Sequence, residues 1–180
     1  MKDGAIRYRR HRSNIHKTLP SSRGTMGVRL TLKGLAAMPT PETRPLPRGM
    51  LVLGWSGLLP FIGALALAMA SPGWRDVALT VFIAYAAVIL SFLGGARWGR
   101  GLATDVPPFR YVEAVLPSLI GFAALLLAHR PLPALSLLAG GFLVWLLIDL
   151  RDPLWSPVYR RMRLGISVAV LAMHAGWLLV

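Results

Sequence analysis

Five long apolar blocks, separated by short connections, constrain this chain more than any other feature. They cover residues 50–70, 77–96, 111–128, 132–148 and 164–180. A helix rises about 1.5 Å per residue, so about 20 apolar residues match the roughly 30 Å hydrocarbon core of a bilayer. The last two blocks sit at the short end of that range. In lipid only helices and closed barrels satisfy every backbone group. The alternating ten-residue segments of a barrel are absent from the sequence. The expected fold is therefore all-α: an integral membrane bundle of five transmembrane helices. Composition agrees, because 55% of the residues are hydrophobic and only 15% are charged, against about 25% charged in ordinary soluble domains. The absence of cysteine excludes a disulfide scaffold and a thiolate-held metal or iron–sulfur cluster.

Residues 1–49 differ in kind. They hold 11 of the 20 basic residues and two acids, Asp3 and Glu42. Pro39, Pro41, Pro45 and Pro47 make an extended linker before the first block. No apolar period is sustained, so this stretch reads as a disordered, basic, proline-rich tail ahead of a transmembrane domain at 50–180. It suits a solvated cytoplasmic tail, an organellar transit peptide or a lipid-headgroup-binding segment. Met26, Met38 and Met50 are also plausible starts. Specific nucleic-acid binding is not expected, since no aromatic stacking platform accompanies the charge.

The connections at 71–76 and 129–131 are short enough to make hairpins of spans one and two and of spans three and four. With five spans, the tail and the connections at 97–110 and 149–163 fall on one face. That face carries 18 basic residues, and the other only Arg75 and Arg130. By the positive-inside rule the N-terminus is cytoplasmic and the C-terminus lies on the opposite side. Trp55, Trp98, Trp145 and Trp155 then form an inner aromatic belt, and Trp74 and Trp177 an outer one. Ser156 and Pro157 read as an N-cap and first helical residue. Span five would then start ahead of its apolar core, with Arg160, Arg161 and Arg163 reaching toward headgroups.

Three sets of residues stand out. Ala87, Ser91, Gly95 and Gly99 form a ridge of small residues at four-residue spacing, suited to close helix packing in the bundle or to a homodimer seam. Ser136, Gly140, Gly165 and Gly176 add smaller packing positions, and Pro60 and Pro117 should kink their helices. Arg97, Glu113, Asp149 and Arg163 close or open spans at the inner interface. They form a candidate polar cluster, for holding helix register or an anionic group. Asp149 at a helix C-terminus opposes the helix dipole, so it needs a basic partner such as Arg97, Arg151 or Arg163. Tyr85 and His174 lie at similar depth and make a candidate midplane polar pair. No metalloprotease, nucleophile-elbow, Walker or dinucleotide motif occurs. No catalytic residue, metal or cofactor is therefore expected.

The runs GWSGLLP at 54–60, SFLGGARWG at 91–99, LPS at 116–118 and YRRMRL at 159–164, with Tyr85 and Trp155, resemble the family called domain of unknown function 3429. The resemblance covers about residues 50–178 and leaves out the tail. It implies a small multi-pass protein of bacterial inner membranes with a mitochondrial relative, and it carries no assigned activity. The expected function is a non-enzymatic accessory or assembly factor that meets a membrane-protein partner, or a second copy of itself, through helix–helix contacts. The alternative is a small transporter or channel whose inner mouth is Arg97, Glu113 and Asp149. The bilayer, with anionic headgroups at the basic face, is the expected surrounding partner. A bacterial inner membrane is the preferred location, and the mitochondrial inner membrane the alternative.

Overall fold

The computed structural model of the chain describes residues 48–180 apart from 105 and 154. The expectations for residues 1–47 lie outside the described residues. Six α-helices follow in order: α1 Arg48–Ser56, α2 Leu59–Ala70, α3 Arg75–Ala103, α4 Phe109–Leu126, α5 Pro131–Arg151 and α6 Pro157–Gly176. Helices α1 and α2 together make the first span. That span and α3, α4 and α5 are each long and apolar enough to cross a membrane. The sixth helix carries Arg160, Arg161 and Arg163 in its first turns. The chain is a multi-pass transmembrane protein.

The interruption between α1 and α2 has a local cause. Pro60 has no N–H, and its ring would clash with the carbonyl four residues back. The chain turns at Gly57 and Leu58 and restarts with Pro60 in the first turn of α2. Irregular backbone inside a bundle needs a replacement donor. Tyr85 supplies it from α3, its hydroxyl donating to the Gly57 carbonyl at 3.0 Å. Pro117 instead stays inside a continuous α4, where it is fully buried.

Helices α3 and α4 approach one another closely, and glycine permits it. A Cβ built on Gly94 would overlap the Ala114 carbonyl oxygen and press on Pro117. One built on Gly121 would lie 2.9 Å from the Ala87 carbonyl oxygen. The two crossings are reciprocal: Ala87 meets Gly121 and Gly94 meets Ala114, on antiparallel helices. Gly141 on α5 makes room for Leu90 and Ile120 in the same way.

This corrects the predicted ridge. Ala87 is buried in it, but Gly95 and Gly99 are exposed and have no described neighbour within 4 Å of a built Cβ. A four-residue step advances about 40° around the helix, so such a ridge rotates off one face within three steps. A seven-residue step returns to within about 20°. Ala87, Gly94 and Gly101 keep that step, and all three are buried. Ser91 is only half-buried and returns its hydroxyl to the Ala87 carbonyl at 2.9 Å. Ser136 and Gly140 are likewise exposed, whereas Gly165 faces Trp55 and Gly176 faces Leu65.

The aromatic belt is also smaller than expected. Trp145 and Trp177 are 2% and 6% exposed, inside the bundle rather than at its rim. Trp55, Trp74 and Trp98 remain exposed. The core is aromatic: Phe82 packs edge-on to Phe61 at 5.1 Å, to His174 at 4.8 Å and to Trp177 at 5.5 Å.

Because backbone, not a flexible side chain, faces Gly94, Gly94→Ala should destabilise the bundle by about 1–3 kcal/mol or more. Gly95→Ala and Gly99→Ala meet open space and should be neutral or slightly stabilising. Unfolding by a denaturing detergent, followed by circular dichroism, checks the order.

Candidate functional site

The end of the bundle that holds the start of α1, the ends of α3 and α5 and the starts of α4 and α6 carries the buried charge. Helix α3 continues to Ala103, well past the predicted end at residue 96, so Arg97 is a helix-interior residue and not a terminal one. Helix α5 runs to Arg151, which places Asp149 in its last turn. Ser156 caps α6 by accepting from the Tyr159 N–H at 3.2 Å, so Arg163 also falls inside a helix. Helical geometry thus aims these side chains inward, where the apolar blocks alone would have placed them in loops.

Asp149 lies between two guanidiniums. Its Oδ1 accepts from Arg97 Nη1 at 2.8 Å, and its Oδ2 from Arg163 Nε at 3.0 Å. All three residues are buried. Arg163 Nη1 also donates to Ser167 Oγ at 2.8 Å, within α6. Arg97 reaches further with Nη2, to Asp152 Oδ2 at 3.3 Å and to Glu113 Oε2 at 3.4 Å. Asp152 in turn pairs with Arg100 at 2.6 Å and lies 3.7 Å from Arg110, which also approaches Glu113 at 3.4 Å. One network therefore ties α3, α4, α5 and α6 together. It joins the four arginines Arg97, Arg100, Arg110 and Arg163 to the three carboxylates Glu113, Asp149 and Asp152.

The four residues singled out from the sequence, Arg97, Glu113, Asp149 and Arg163, all lie in this network. Asp152, Arg100 and Arg110 were missed. A signal for two of them was present: Arg97 and Arg100, and Asp149 and Asp152, are each three residues apart. That spacing puts each pair on one helix face, but it has meaning only once α3 and α5 are known to extend so far. Arg163 corrects another expectation, because it is 4% exposed and turned into the bundle rather than toward headgroups.

The network is roofed by aromatic groups. The Arg100 guanidinium lies 3.8 Å over the Trp155 ring, and Trp155 stacks on Tyr159 at 4.2 Å. Tyr111 closes the α3–α4 connection by donating to the Gly101 carbonyl at 3.0 Å. Beside Tyr111 lies a cavity of about 20 Å³, lined by Arg97, Arg100, Gly101, Val106, Arg110, Tyr111 and Asp152. It has room for about one water. Each carboxylate faces guanidinium groups, and arginine outnumbers carboxylate by one, so the arrangement repels a metal cation.

The proposed pairing of Tyr85 with His174 does not form. Tyr85 donates to Gly57, and His174 Nδ1 lies 2.8 Å from the Val170 carbonyl of its own helix. Because that carbonyl can only accept, Nδ1 is the donor. Phe61 lies against both rings, 4.9 Å from Tyr85 and 6.3 Å from His174. Helix α6 ends at Gly176, so His174 occupies its last turn and not its middle.

Removing the shared carboxylate should cost most. Asp149→Asn leaves Arg97 and Arg163 buried with one anionic partner lost, and an expected penalty of about 3–5 kcal/mol. Glu113 is 29% exposed and its pairs are 3.4 Å long, so Glu113→Gln should cost under about 1 kcal/mol. Parallel unfolding titrations of the two variants check the ranking.

The comparisons with known proteins place the chain among membrane proteins and assign no activity. Transmembrane protein 69 of Xenopus tropicalis is 29% identical over 138 residues, which cover 74% of this chain and 54% of that protein. The chain thus spans about half the length of the curated relative it matches. No solved structure matches it significantly. The model of the family described as "Protein of unknown function (DUF3429)" matches residues 46–179, and the chain belongs to that family.

Proposed function

We propose that this protein is a non-enzymatic accessory or assembly factor of the bacterial inner membrane, acting through helix contacts with another membrane protein or a second copy of itself. The observation that carries the reading is the outward strip of α3 at Gly95 and Gly99. Both glycines are exposed, with no described neighbour within 4 Å of a built Cβ. Glycine inside a helix costs about 1 kcal/mol relative to alanine, and no described residue packs close enough to offset that cost at either position. A helix from another molecule, approaching as α4 does at Gly94, would offset it.

The polar groups weigh against the transporter alternative. Arg97 and Arg163 both donate to Asp149, while the Tyr85 hydroxyl and His174 Nδ1 donate to backbone carbonyls. Each residue of the supposed inner mouth, Arg97, Glu113 and Asp149, is thus paired within the bundle. The basic end faces the cytoplasm in this reading, or the matrix if the membrane is mitochondrial. Among the described residues that end carries Arg48, Arg97, Arg100, Arg110, Arg151, Arg160, Arg161 and Arg163, against Arg75 and Arg130 at the other. Anionic headgroups are its natural neighbours.

Two experiments test this reading. The Gly95→Leu/Gly99→Leu variant, purified in mild detergent beside the wild type, should lose a co-purifying partner or a dimer while its unfolding midpoint holds. An unchanged particle mass and an unchanged set of companions would count against the seam. For orientation, single cysteines can be placed in this cysteine-free chain. A thiol reagent that does not cross membranes should label position 130 in intact cells and position 161 only after the cells are opened. The reverse pattern would invert the topology.

A further inference from the structure

Arg97 and Arg163, the two arginines of the predicted polar cluster, are both committed to Asp149. Two cations with no carboxylate partner among the described residues lie one turn away on α6. Arg161 is exposed and has no ion pair among the described residues. Arg160 makes one long contact of 3.4 Å to the Leu150 carbonyl and pairs with no described carboxylate. Two grooves meet at Arg161. One, of about 280 Å³, runs between α5 and α6 and is lined by Leu150, Pro157, Arg160, Arg161 and Leu164. The other, of about 370 Å³, runs between α1 and α6 and is lined by Leu51, Trp55, Val158, Arg161 and Met162. No described carboxylate lines either groove.

We propose that Arg160, Arg161 and these two grooves form a binding site for one anionic phospholipid. The phosphate sits on the two guanidiniums, and an acyl chain lies in the groove on each side of Arg161. Charge selects the occupant. Two unneutralised guanidiniums hold a phosphate bidentately, and the apolar walls on both sides suit a molecule with two hydrocarbon chains. Trp55, exposed at the edge of the larger groove, is the kind of side chain that settles at the headgroup boundary. A basic pocket between helices at the headgroup level is a recurring way to hold an anionic lipid. The proposal deepens, and rests on, the reading of this end as a headgroup-facing one.

The test uses the full chain in mild detergent with an equimolar mixture of phosphatidylglycerol and phosphatidylcholine, the retained lipid being counted by native mass spectrometry. The wild type should retain one phosphatidylglycerol with a preference of roughly tenfold or more. Arg160→Gln/Arg161→Gln should reduce that preference to under about threefold, with an unchanged unfolding midpoint because both side chains lie outside the buried network. Val158→Trp keeps the charge but fills the larger groove, and it too should abolish retention of the single lipid. No preference in the wild type would overturn the proposal, as would a preference that survives either variant. Displacement by millimolar glycerol phosphate as readily as by lipid would also overturn it, in favour of a plain anion site. Detergent has no sidedness, so the outcome is independent of the cysteine labelling and a failure of one reading is distinct from a failure of the other.

Discussion

The Asp149 carboxylate, shared by Arg97 and Arg163, is the interaction on which the rest of the bundle depends. The chain reads as membrane-spanning, and in lipid apolar surface gives helices no reason to choose one another. A buried charge does, because an unpaired one costs several kcal/mol while a paired one tolerates very few geometries. Asp149 brings the last turn of α5 against the interiors of α3 and α6, and Arg97 extends the tie to α4 through Glu113. The network is evidence of specificity more than of net stability. Replacing all of it by well-fitted apolar groups could leave a bundle equally stable but with less to fix its helix register.

The glycines make that network reachable. Arginine is long, but Arg97 meets its partners at 2.8–3.4 Å only if α3 lies close to α4 and α5. Gly94, Gly121 and Gly141 permit this by removing the side chain where another helix passes. The outward glycines Gly95 and Gly99 have no such duty among the described residues. Inward glycines thus explain the close helix approaches, and Gly95 and Gly99 lie outside them.

The spans were legible because they follow from one number, the thickness of a bilayer, and from apolar runs that any residue scale registers. Helix ends were not. Arg97 reads as the end of a span because a charge in lipid is costly, and only the acids on α5 and α4, far away in sequence, show that the helix can continue. Ridge phase was illegible for a similar reason: the spacings of four and seven both lie among these small residues, and choosing between them needs the partner helix. Trp145 and Trp177 fitted a belt by position, but side-chain direction, not depth, places them inside. The polar cluster was half legible, since Asp149 demanded a basic partner on dipole grounds, while Asp152 and Arg100 needed the extended helices before their three-residue spacing meant anything.

What emerges is a bundle with an ion-locked end, an aromatic core and an outward strip of small residues on α3 that meets no other described residue. The lock itself is open to direct measurement by a double-mutant cycle on Arg97→Met and Asp149→Leu, read as unfolding free energies in mixed micelles. A coupling energy above about 1.5 kcal/mol is expected for a buried pair of this geometry. Additivity to within about 0.3–0.5 kcal/mol would mean that the two side chains do not hold one another, and that something else sets the helix register.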